Sequence, residues 1–276
     1  MTDSLISLII PAFNEEKTVG AVIQDIDVIM RLYGLPYEII VVDDGSTDNT
    51  ERVALSTGKA TVLSNEPNHG KGYCLRRAFK QAHGDIIVTL DSDGEHKPRE
   101  IPDLITPLFE GIDIVSGSRF LGSQSEVTTK INRMGNFLFN LAIIALTGQQ
   151  VTDSQTGFRA MKRHILQELN LQSDGYEIES EITVKSLRNG YQFKEIPVTI
   201  ERRKYNISKI KILRDGQKIL STIIQSSFSE LEQKQNQQKS SFNANFFYDI
   251  CKGIASSISS RSKFSRNTPE DSRDVP

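Results

Sequence analysis

The chain has 276 residues, of which 37% are hydrophobic and 25% are charged, and its net charge is −2 at pH 7. This length supports one substantial apolar core with a small appendage. The near-neutral charge argues against a protein that binds nucleic acid through bulk positive charge. The two cysteines, Cys74 and Cys251, lack metal-site spacing, which favours a reducing, cytoplasmic setting without disulfides. No apolar run reaches the length of a membrane span.

Strand and helix patterns alternate through the first half of the chain. Short runs of β-branched and other apolar residues predict strands, and apolar residues at helical spacing predict the helices between them. The predicted strands are 5–10, 38–42, 61–64, 85–90 and 112–116, and the predicted helices are 15–32, 50–56 and 72–82. Asn14 is the expected N-cap of the first helix and Gly34 its expected end. This alternation predicts an α/β fold with a mostly parallel central sheet flanked by helices.

The second half is less regular. Its predicted elements are helices at 132–146 and 179–189, a polar loop leading into a strand at 153–161, and a strand at 193–200. Between 202 and 218 the chain carries seven basic residues against one acid, and apolar residues at helical spacing follow. This pattern fits either an amphipathic helix on a membrane surface or a helix packed on the core with a solvated basic face.

The composition changes near residue 229, where Gln, Ser and Asn become frequent. We therefore predict a folded domain over 1–228 and a polar tail over 229–276 with a disordered end. Within that tail, residues 247–258 have the apolar spacing of a short amphipathic helix.

Three acidic residues, Asp91, Asp93 and Glu95, follow the strand predicted at 85–90. In an extended segment, side chains two residues apart face the same way, so these carboxylates are expected to converge. Converging carboxylates repel one another unless they hold a cation, and oxygen ligands suit Mg²⁺ or Mn²⁺, which leave room for the phosphates of a nucleotide. A solvated acidic turn is the alternative for this motif taken alone.

A second acidic pair, Asp43 and Asp44, follows the strand predicted at 38–42. Ligands of parallel sheets bind beyond the carboxyl ends of the strands, where such carboxylates accept hydrogen bonds from a base or ribose. The alternative is a capped turn that opens the next helix. Glu15 fits either a first-turn helix charge or a ligand contact. Glycine-rich dinucleotide and P-loop motifs are absent, which excludes those two classes of site.

The ordered set of motifs resembles the family 2 glycosyltransferases. Four segments carry the resemblance: PAFNEE at 11–16, VVDDGSTDNT at 41–50, NHGKGYCLRRAF at 68–79 and LDSDGEHKP at 90–98. Three later segments look like the dolichyl-phosphate mannose synthase branch and its polyprenyl-phosphate relatives: GSRF at 117–120, NRMGN at 132–136 and DSQTGFRAM at 153–161. The resemblance covers about residues 5–215 and implies the GT-A nucleotide-sugar-binding fold.

The resemblance also implies roles for individual residues. Those expected at the nucleotide are Pro11, Phe13, Glu15, Val42, Asp44, Lys71, Asp91 and Ser92. Those expected to hold the metal are Asp91, Asp93 and Glu95, of which Glu95 stands where a relative commonly has Gln. Those expected at the diphosphate or at an acceptor phosphate are Arg119, Arg133, Arg203 and Lys209. Asp93, Arg119 and Arg133 are the expected catalytic residues. Near Lys209 the chain has Asn206 close to the place where the relatives carry a glycine, so it departs from their pattern there.

The implied activity is an inverting, metal-dependent transfer of a sugar from a UDP- or GDP-sugar to dolichyl or another polyprenyl phosphate, feeding protein or surface glycosylation. Such an enzyme would associate peripherally with the cytosolic face of a membrane. An acceptor phosphate is already anionic and needs no general base, whereas a saccharide hydroxyl needs one, for which Asp153, Glu179 and Glu181 are candidates. A catalytically silent nucleotide-sugar-binding protein is a further alternative.

Overall fold

Seven strands form one mixed sheet in the computed structural model, which describes residues 4–121, 130–201 and 212–235. The strands are β1 (Ile6–Ala12), β2 (Tyr37–Asp43), β3 (Thr61–Ser64), β4 (Ile86–Thr89), β5 (Ile114–Ser118), β6 (Arg159–Lys162) and β7 (Phe193–Pro197). Their order across the sheet is β3-β2-β1-β4-β6-β5-β7. Only β6 runs antiparallel to its neighbours. The predicted α/β class with a mostly parallel sheet is therefore confirmed.

Helices connect the strands and cover the sheet. They are α1 (Val19–Tyr33), α2 (Thr50–Ser56), α3 (Lys71–Gln81), α4 (Ile101–Phe109), α5 (Lys130–Thr147), α6 (Arg163–Glu168), α7 (Ile178–Asn189) and α8 (Ile212–Gln235). Among the described residues, no helix is long and apolar enough to cross a membrane.

Strand β1 lies at the centre of the core because apolar side chains cover both of its faces. Ile6, Leu8 and Ile10 pack with residues of α1 and α4, whereas Ile9 packs on the opposite face with residues of α3 and α7. A strand that is buried on both faces reads as a continuous apolar run, as β1 does. The sheet order reverses at β1, which pairs with both β2 and β4, so a crevice opens there at the carboxyl ends of the strands.

The element predictions hold where local signals are strong. Strand β3 and helix α2 have the predicted bounds, and Gly34 ends α1 with φ +73°, in the left-handed region that glycine tolerates. The predicted start of α1 was wrong, because the helix begins at Val19 and Asn14 is not its cap. Instead Asn14 has φ +54°, and its side-chain oxygen accepts a hydrogen bond from the Thr47 amide at 2.8 Å. Asn14 thus joins two loops at the sheet edge.

Helix α4 was missed because prolines obscure its pattern. Pro102 lies in the first turn, where its missing N–H has no helical partner, but Pro107 lies inside the helix. Burial of Leu104, Ile105 and Leu108 against the sheet supplies the stabilisation that local propensity lacks.

Helix α8 packs on the domain through Ile219 and Ile223, which join Ile143 of α5 in a small apolar cluster. This packing agrees with the core-packed alternative for the part of the amphipathic segment that lies in α8. The basic run at 202–211, with Arg203 and Lys209, lies outside the described residues, as do Cys251 and residues 247–258. By contacts, the chain divides into Met1–Glu230 and Leu231–Pro276.

Asp27 of α1 provides a test of the fold. Its buried carboxylate accepts hydrogen bonds from the Tyr37 hydroxyl at 2.6 Å and from Arg31 Nε at 3.1 Å, and it pairs with Lys59. The bonds to Lys59 and Tyr37 lower the pKa of Asp27 more than burial raises it. We expect Asp27→Asn to lower the free energy of unfolding by about 1–3 kcal/mol at neutral pH.

Because the folded-state pKa is depressed, this stabilisation is complete above the unfolded-state pKa of about 3.9 and is lost as the pH falls through the folded-state value. The difference between native protein and variant in urea unfolding should therefore shrink below about pH 4. The control is Asp25→Asn, an exposed carboxylate on the same helix, which should leave stability nearly unchanged. A difference that stays constant into the acid range would contradict the ion-pair account.

Candidate active site

The predicted acidic residues gather at one edge of the sheet. Strands β1, β2 and β4 are parallel, and in register Ala12 faces Asp43 while Ile9 faces Thr89. The loops that carry Glu15, Asp44 and Asp91 therefore leave the sheet side by side. This edge adjoins the crevice between β1 and β4, the position at which open α/β sheets bind their ligands.

The segment Asp91–Gly94 is a turn, which corrects the extended geometry expected from the sequence. Strand β4 ends at Thr89, and Gly94 adopts φ +76°. The hydroxyl of Ser92 donates to the Pro11 carbonyl at 2.9 Å, and Asp93 Oδ1 accepts the Glu95 amide at 3.0 Å. These bonds tie the acidic turn to the end of β1. Asp93 is buried, whereas Asp91 and Glu95 are partly exposed.

Asp44 organises the loop that precedes α3. Its buried carboxylate accepts hydrogen bonds from the Asn65 side-chain amide at 2.9 Å and from the backbone amides of His69 at 3.0 Å and Gly70 at 2.7 Å. Helix α3 begins at Lys71, immediately after the backbone donors of His69 and Gly70. Asp44 thus fixes the position from which the Lys71 side chain extends, whether or not it also contacts a nucleoside.

Lys71 lies between two carboxylates of the site. Its ammonium lies 2.6 Å from Asp91 Oδ1 and 2.9 Å from Glu179 Oε1, and its side chain is only 12% exposed. Burial alone would lower the pKa of Lys71, but the negative charges of Asp91 and Glu179 and the hydrogen bonds to them outweigh burial. The pKa of Lys71 therefore lies above its ordinary value, and the group stays cationic throughout the neutral range.

Two positions near Lys71 leave no space for a side chain and are occupied by glycine. A Cβ at Gly157 would lie 2.5 Å from Lys71 Nζ and 3.0 Å from Asp91 Oδ2, so any side chain at Gly157 would collide with the ion pair. A Cβ at Gly72 would lie 2.3 Å from the Ser173 carbonyl oxygen, so glycine also allows α3 to approach the loop before α7. Both positions explain why glycine occurs in the motifs around Lys71.

Glu179 connects Lys71 to a buried arginine of the sheet. Arg159 of β6 lies 3.5 Å from Glu179 Oε2 and is fully buried, and it donates to the carbonyls of Thr156 at 3.0 Å and Ser154 at 3.1 Å. Burial lowers the pKa of Arg159 despite the nearby carboxylates. Asp91, Lys71, Glu179 and Arg159 thus alternate in charge from the open edge of the site into the core, so each buried charge has an opposite neighbour.

A second ion pair joins Arg119 to Asp153. Arg119 Nε and Nη2 donate to the two oxygens of Asp153 at 2.6 and 2.8 Å, and the backbone amide of Arg119 donates to Oδ2 at 3.1 Å. Burial by itself lowers the pKa of Arg119, but the charge of Asp153 and its hydrogen bonds raise the net value above the ordinary one. The bidentate geometry fixes the guanidinium plane, while the five N–H donors of an arginine leave others for a ligand.

The ring of Phe120 lies close to two arginines. Its centre is 5.7 Å from Cζ of Arg119 and 5.8 Å from Cζ of Arg133, which is exposed near the start of α5. Two of the four cations predicted to bind phosphate are therefore brought to neighbouring positions. The other two, Arg203 and Lys209, lie outside the described residues.

The three candidate general bases all have cationic partners. Asp153 pairs with Arg119, Glu179 with Lys71 and Arg159, and Glu181 with Lys185 at 2.7 Å. Burial raises the pKa of Glu181, but hydrogen bonds from Lys185 and Ser173 lower it further, so the net pKa is below its usual range. The cation and the donors that contact Glu181 thus favour its ionised form, and the other two carboxylates lie in ion pairs.

Val42 is the predicted nucleotide contact that the fold places least favourably. Its side chain is fully buried in the apolar core beside Ile9 and Cys74. Pro11 and Phe13 are partly exposed at the same strand ends, and Glu15 is buried, with Thr18 donating to its carboxylate at 3.2 Å.

The carboxylates of the acidic turn fit a hard divalent cation in their chemistry. Within the described ranges, no group of three or more His, Cys, Asp or Glu residues is arranged to hold a metal by itself. Mg²⁺ sites at nucleotides commonly use one or two carboxylates and complete their coordination with water and substrate phosphates. The predicted convergence of all three carboxylates on one metal is therefore not seen, and one or two of Asp91, Asp93 and Glu95 could take part in a site of that kind.

Comparison with known proteins adds independent findings. The family model described as glycosyl transferase family 2 matches residues 7–169. The chain is 34% identical to the uncharacterized protein MJ1222 of Methanocaldococcus jannaschii over 226 residues, which are 79% of this chain and 90% of that protein. It is 30% identical to the UDP-N-acetylglucosamine–dolichyl-phosphate N-acetylglucosaminyltransferase of Methanococcus voltae, over 81% of this chain and 96% of that protein.

Solved structures are similar as well. Glucosyl-3-phosphoglycerate synthase from Mycobacterium tuberculosis, in complex with Mn²⁺, uridine diphosphate and phosphoglyceric acid, superposes with a TM-score of 0.67 and 26% identity. The match covers 81% of this chain and 78% of that chain. A complex of the same synthase with Mg²⁺ and uridine diphosphate gives a TM-score of 0.65 and 27% identity, over 82% of this chain and 80% of that chain.

Replacement of Lys71 tests whether the central cation binds phosphate. We expect Lys71→Met to weaken binding of a nucleoside diphosphate in EDTA by roughly 10- to 100-fold, because a buried charge-assisted contact is lost. Isothermal titration calorimetry with UDP and GDP measures this affinity. Lys80→Met, an exposed lysine on the same helix, is the matched control and should bind as the native protein does. Equal affinities for all three proteins would show that Lys71 is purely structural.

Proposed function

Because the chain belongs to glycosyl transferase family 2 and is a glycosyltransferase, we propose that it transfers a sugar from a nucleotide sugar to a polyprenyl phosphate such as dolichyl phosphate. The resemblance read from the motifs and the GT-A fold are confirmed by the family match and by the similar solved structures.

We propose a UDP-sugar as the donor. The Methanococcus relative is named for UDP-N-acetylglucosamine, and the synthase from Mycobacterium was crystallised with uridine diphosphate. In this chain the crevice at the ends of β1, β2 and β4 offers Pro11, Phe13, Glu15 and Asp44 to a nucleoside. Lys71 and the acidic turn lie next to these residues, where a diphosphate would follow.

We propose that Asp91, Asp93 and Glu95 bind the diphosphate through Mg²⁺ or Mn²⁺, since their oxygens suit either ion. Both ions occur in structures of the similar synthase. When bound, the cation would act as a Lewis acid on the diphosphate oxygens.

The chemistry requires stabilisation of the leaving group. As the bond between the anomeric carbon and the diphosphate breaks, negative charge grows on the diphosphate. Lys71 and Arg119 supply fixed positive charge there, and both have pKa values above their ordinary ones. Preorganised charge of this kind is the largest expected contribution to catalysis. Direct displacement by the acceptor inverts the anomeric centre.

The observation that carries the acceptor assignment is the pairing of every candidate base among the described residues with a cation. An acceptor hydroxyl must lose a proton, but Asp153, Glu179 and Glu181 are each held in ion pairs. A phosphate monoester is already an anion at neutral pH and attacks without a base. Arg133, which is exposed beside Phe120 and Arg119, is the cation we assign to that acceptor phosphate.

The names of the relatives favour a lipid-linked phosphate over a soluble one. A dolichyl-phosphate hexose transferase of Haloferax volcanii is 29% identical over 72% of this chain and 83% of its own length. We therefore propose peripheral association with a membrane surface, where such an acceptor resides.

The proposal is tested by transfer of label from UDP-glucose, UDP-N-acetylglucosamine and the GDP-sugars to paired acceptors. The acceptors are a polyprenyl phosphate, the polyprenol of the same chain length, and 3-phosphoglycerate. We expect label only in the polyprenyl phosphate product, loss of transfer in EDTA, and recovery with Mn²⁺ or Mg²⁺. Transfer to the polyprenol or to 3-phosphoglycerate would overturn the phosphate-acceptor assignment. Tight nucleotide binding without any transfer would make the protein a silent binder.

Arg133 gives a sharper test of the acceptor. We expect Arg133→Ala to lower kcat/KM for polyprenyl phosphate by roughly 10- to 100-fold while the affinity for the nucleotide stays unchanged, because Arg133 is assigned to the acceptor phosphate and not to the nucleotide. Steady-state transfer and calorimetry separate the two effects. Arg52→Ala, an exposed arginine on α2, is the control and should retain full transfer. Unchanged transfer by the Arg133 variant would refute its role.

A further inference from the structure

Glu195 of the edge strand β7 binds the loop that precedes β6. Its Oε1 accepts a hydrogen bond from the Asp153 amide at 2.9 Å, and its Oε2 accepts from the Thr152 amide at 2.8 Å and from the Thr152 hydroxyl at 2.9 Å. Three donors from two consecutive residues thus converge on one carboxylate. Glu195 is partly exposed, and it lies outside all the motif segments that carry the family resemblance.

The residue that Glu195 holds is the partner of Arg119. Asp153 is fully buried, and its two oxygens accept from Nε and Nη2 of Arg119 at 2.6 and 2.8 Å. Only one methylene group separates the carboxylate of Asp153 from its backbone, so the carboxylate follows the backbone closely. The guanidinium plane of Arg119 is fixed in turn by the bidentate pair. A displacement of the Asp153 backbone would therefore turn Arg119.

Thr152 makes this loop rigid because each of its polar groups is bonded. Its amide and hydroxyl donate to Glu195, and its hydroxyl also lies 2.7 Å from the hydroxyl of Ser118, the neighbour of Arg119. Its carbonyl accepts from the side chains of Asn136 at 3.1 Å and Asn140 at 2.6 Å. Glu195 thus completes a set of bonds that leaves the loop one conformation.

The geometry requires a carboxylate at position 195 and not an amide. Both oxygens of Glu195 face donors, and an ionised carboxylate is an acceptor at both ends. A glutamine side chain has nearly the same shape, but one of its ends is an NH₂ group that only donates. In either orientation that NH₂ group would meet a backbone N–H, so Thr152 or Asp153 would have to move.

We propose that Glu195 is a positioning residue for sugar transfer: it fixes the backbone of Thr152 and Asp153 and so holds Arg119 in the orientation that binds the leaving diphosphate. The inference rests on the proposed function, in which Arg119 acts on the diphosphate. It adds a residue that is remote in the sequence and acts on the reaction only through Arg119.

The Nε–H proton of Arg119 reports this orientation directly, because it is bonded to Asp153. In full-length protein labelled with ¹⁵N-arginine, Arg119→Lys identifies the Arg119 signal by its absence. We expect this proton to exchange with water slowly in the native protein and roughly tenfold faster or more in Glu195→Gln, because the loss of a buried hydrogen bond loosens the loop. Unchanged exchange in Glu195→Gln would overturn the inference.

Glu38→Gln is the matched control for a general loss of stability. Glu38 of β2 accepts from the His83 amide at 2.7 Å and from the Ser7 hydroxyl at 2.5 Å, so it binds the same kinds of donor, but near the amino end of its strand. We expect urea unfolding to show a similar destabilisation for both glutamine variants. Only Glu195→Gln should change the exchange of Arg119 and lower kcat for sugar transfer. Equal losses of kcat in both variants would overturn the positioning role.

A double-mutant cycle tests whether Glu195 acts through Arg119. Isothermal titration calorimetry with UDP and Mn²⁺ is suitable, because the diphosphate of UDP carries the charge that the leaving group acquires. We expect Glu195→Gln to weaken UDP binding roughly five- to tenfold in the native background but less than about twofold in Arg119→Ala, because the two residues are coupled. A loss by the same factor in both backgrounds, or no loss in either, would overturn the inference.

The proposed function is scored separately by transfer with the native protein. Faster exchange of Arg119 in Glu195→Gln, together with no sugar transfer by the native protein to any acceptor, refutes the proposed function and retains the hold of Glu195 on Arg119. Transfer by the native protein, together with unchanged exchange and unchanged kcat in Glu195→Gln, refutes only the positioning role.

Discussion

The ammonium of Lys71, held between Asp91 and Glu179, is the interaction on which the site depends. Four elements meet through it: α3 provides the lysine, the turn after β4 provides Asp91, α7 provides Glu179, and β6 provides Arg159 behind Glu179. Asp44 fixes the start of α3, and the absence of a side chain at Gly157 leaves the necessary space. Since each buried charge has an opposite neighbour, the chain tolerates a high density of ionisable groups at a sheet edge. A bound diphosphate would add negative charge and a bound metal ion would add positive charge at this edge, so the same alternation of charge would continue there.

A second set of hydrogen bonds holds Arg119, the arginine proposed at the diphosphate. Glu195 of β7 accepts the Asp153 amide at 2.9 Å, Asp153 orients Arg119, and the loop that carries Asp153 is bound to α5 through Asn140. Helix α5, which carries Arg133, is thus joined by hydrogen bonds to the loop that orients Arg119.

Much of the fold could be predicted from local patterns because strand and helix periodicities are clear in the first half. The carboxyl ends of β1, β2 and β4 could also be located, and with them the acidic residues. Other features depend on contacts between distant segments. The turn at Asp91 is set by the bond from Ser92 to Pro11, and the burial of Val42 follows from the packing of α3. Glu179 read as a candidate base, but its pairing with Lys71 and Arg159 exists only once α3, α7 and β6 are assembled. Helix α4 formed despite Pro107 because the sheet buries its apolar side.

The central claim is that phosphate binds where Lys71 meets the acidic turn. A crystal structure of the protein grown with UDP and Mn²⁺, with the metal located by anomalous scattering, tests this directly. The account predicts diphosphate oxygens within hydrogen-bonding distance of Lys71 Nζ and the anomalous peak at the carboxylates of the acidic turn. A nucleotide bound elsewhere, with Lys71 still paired to Asp91 and no metal at the turn, would contradict it.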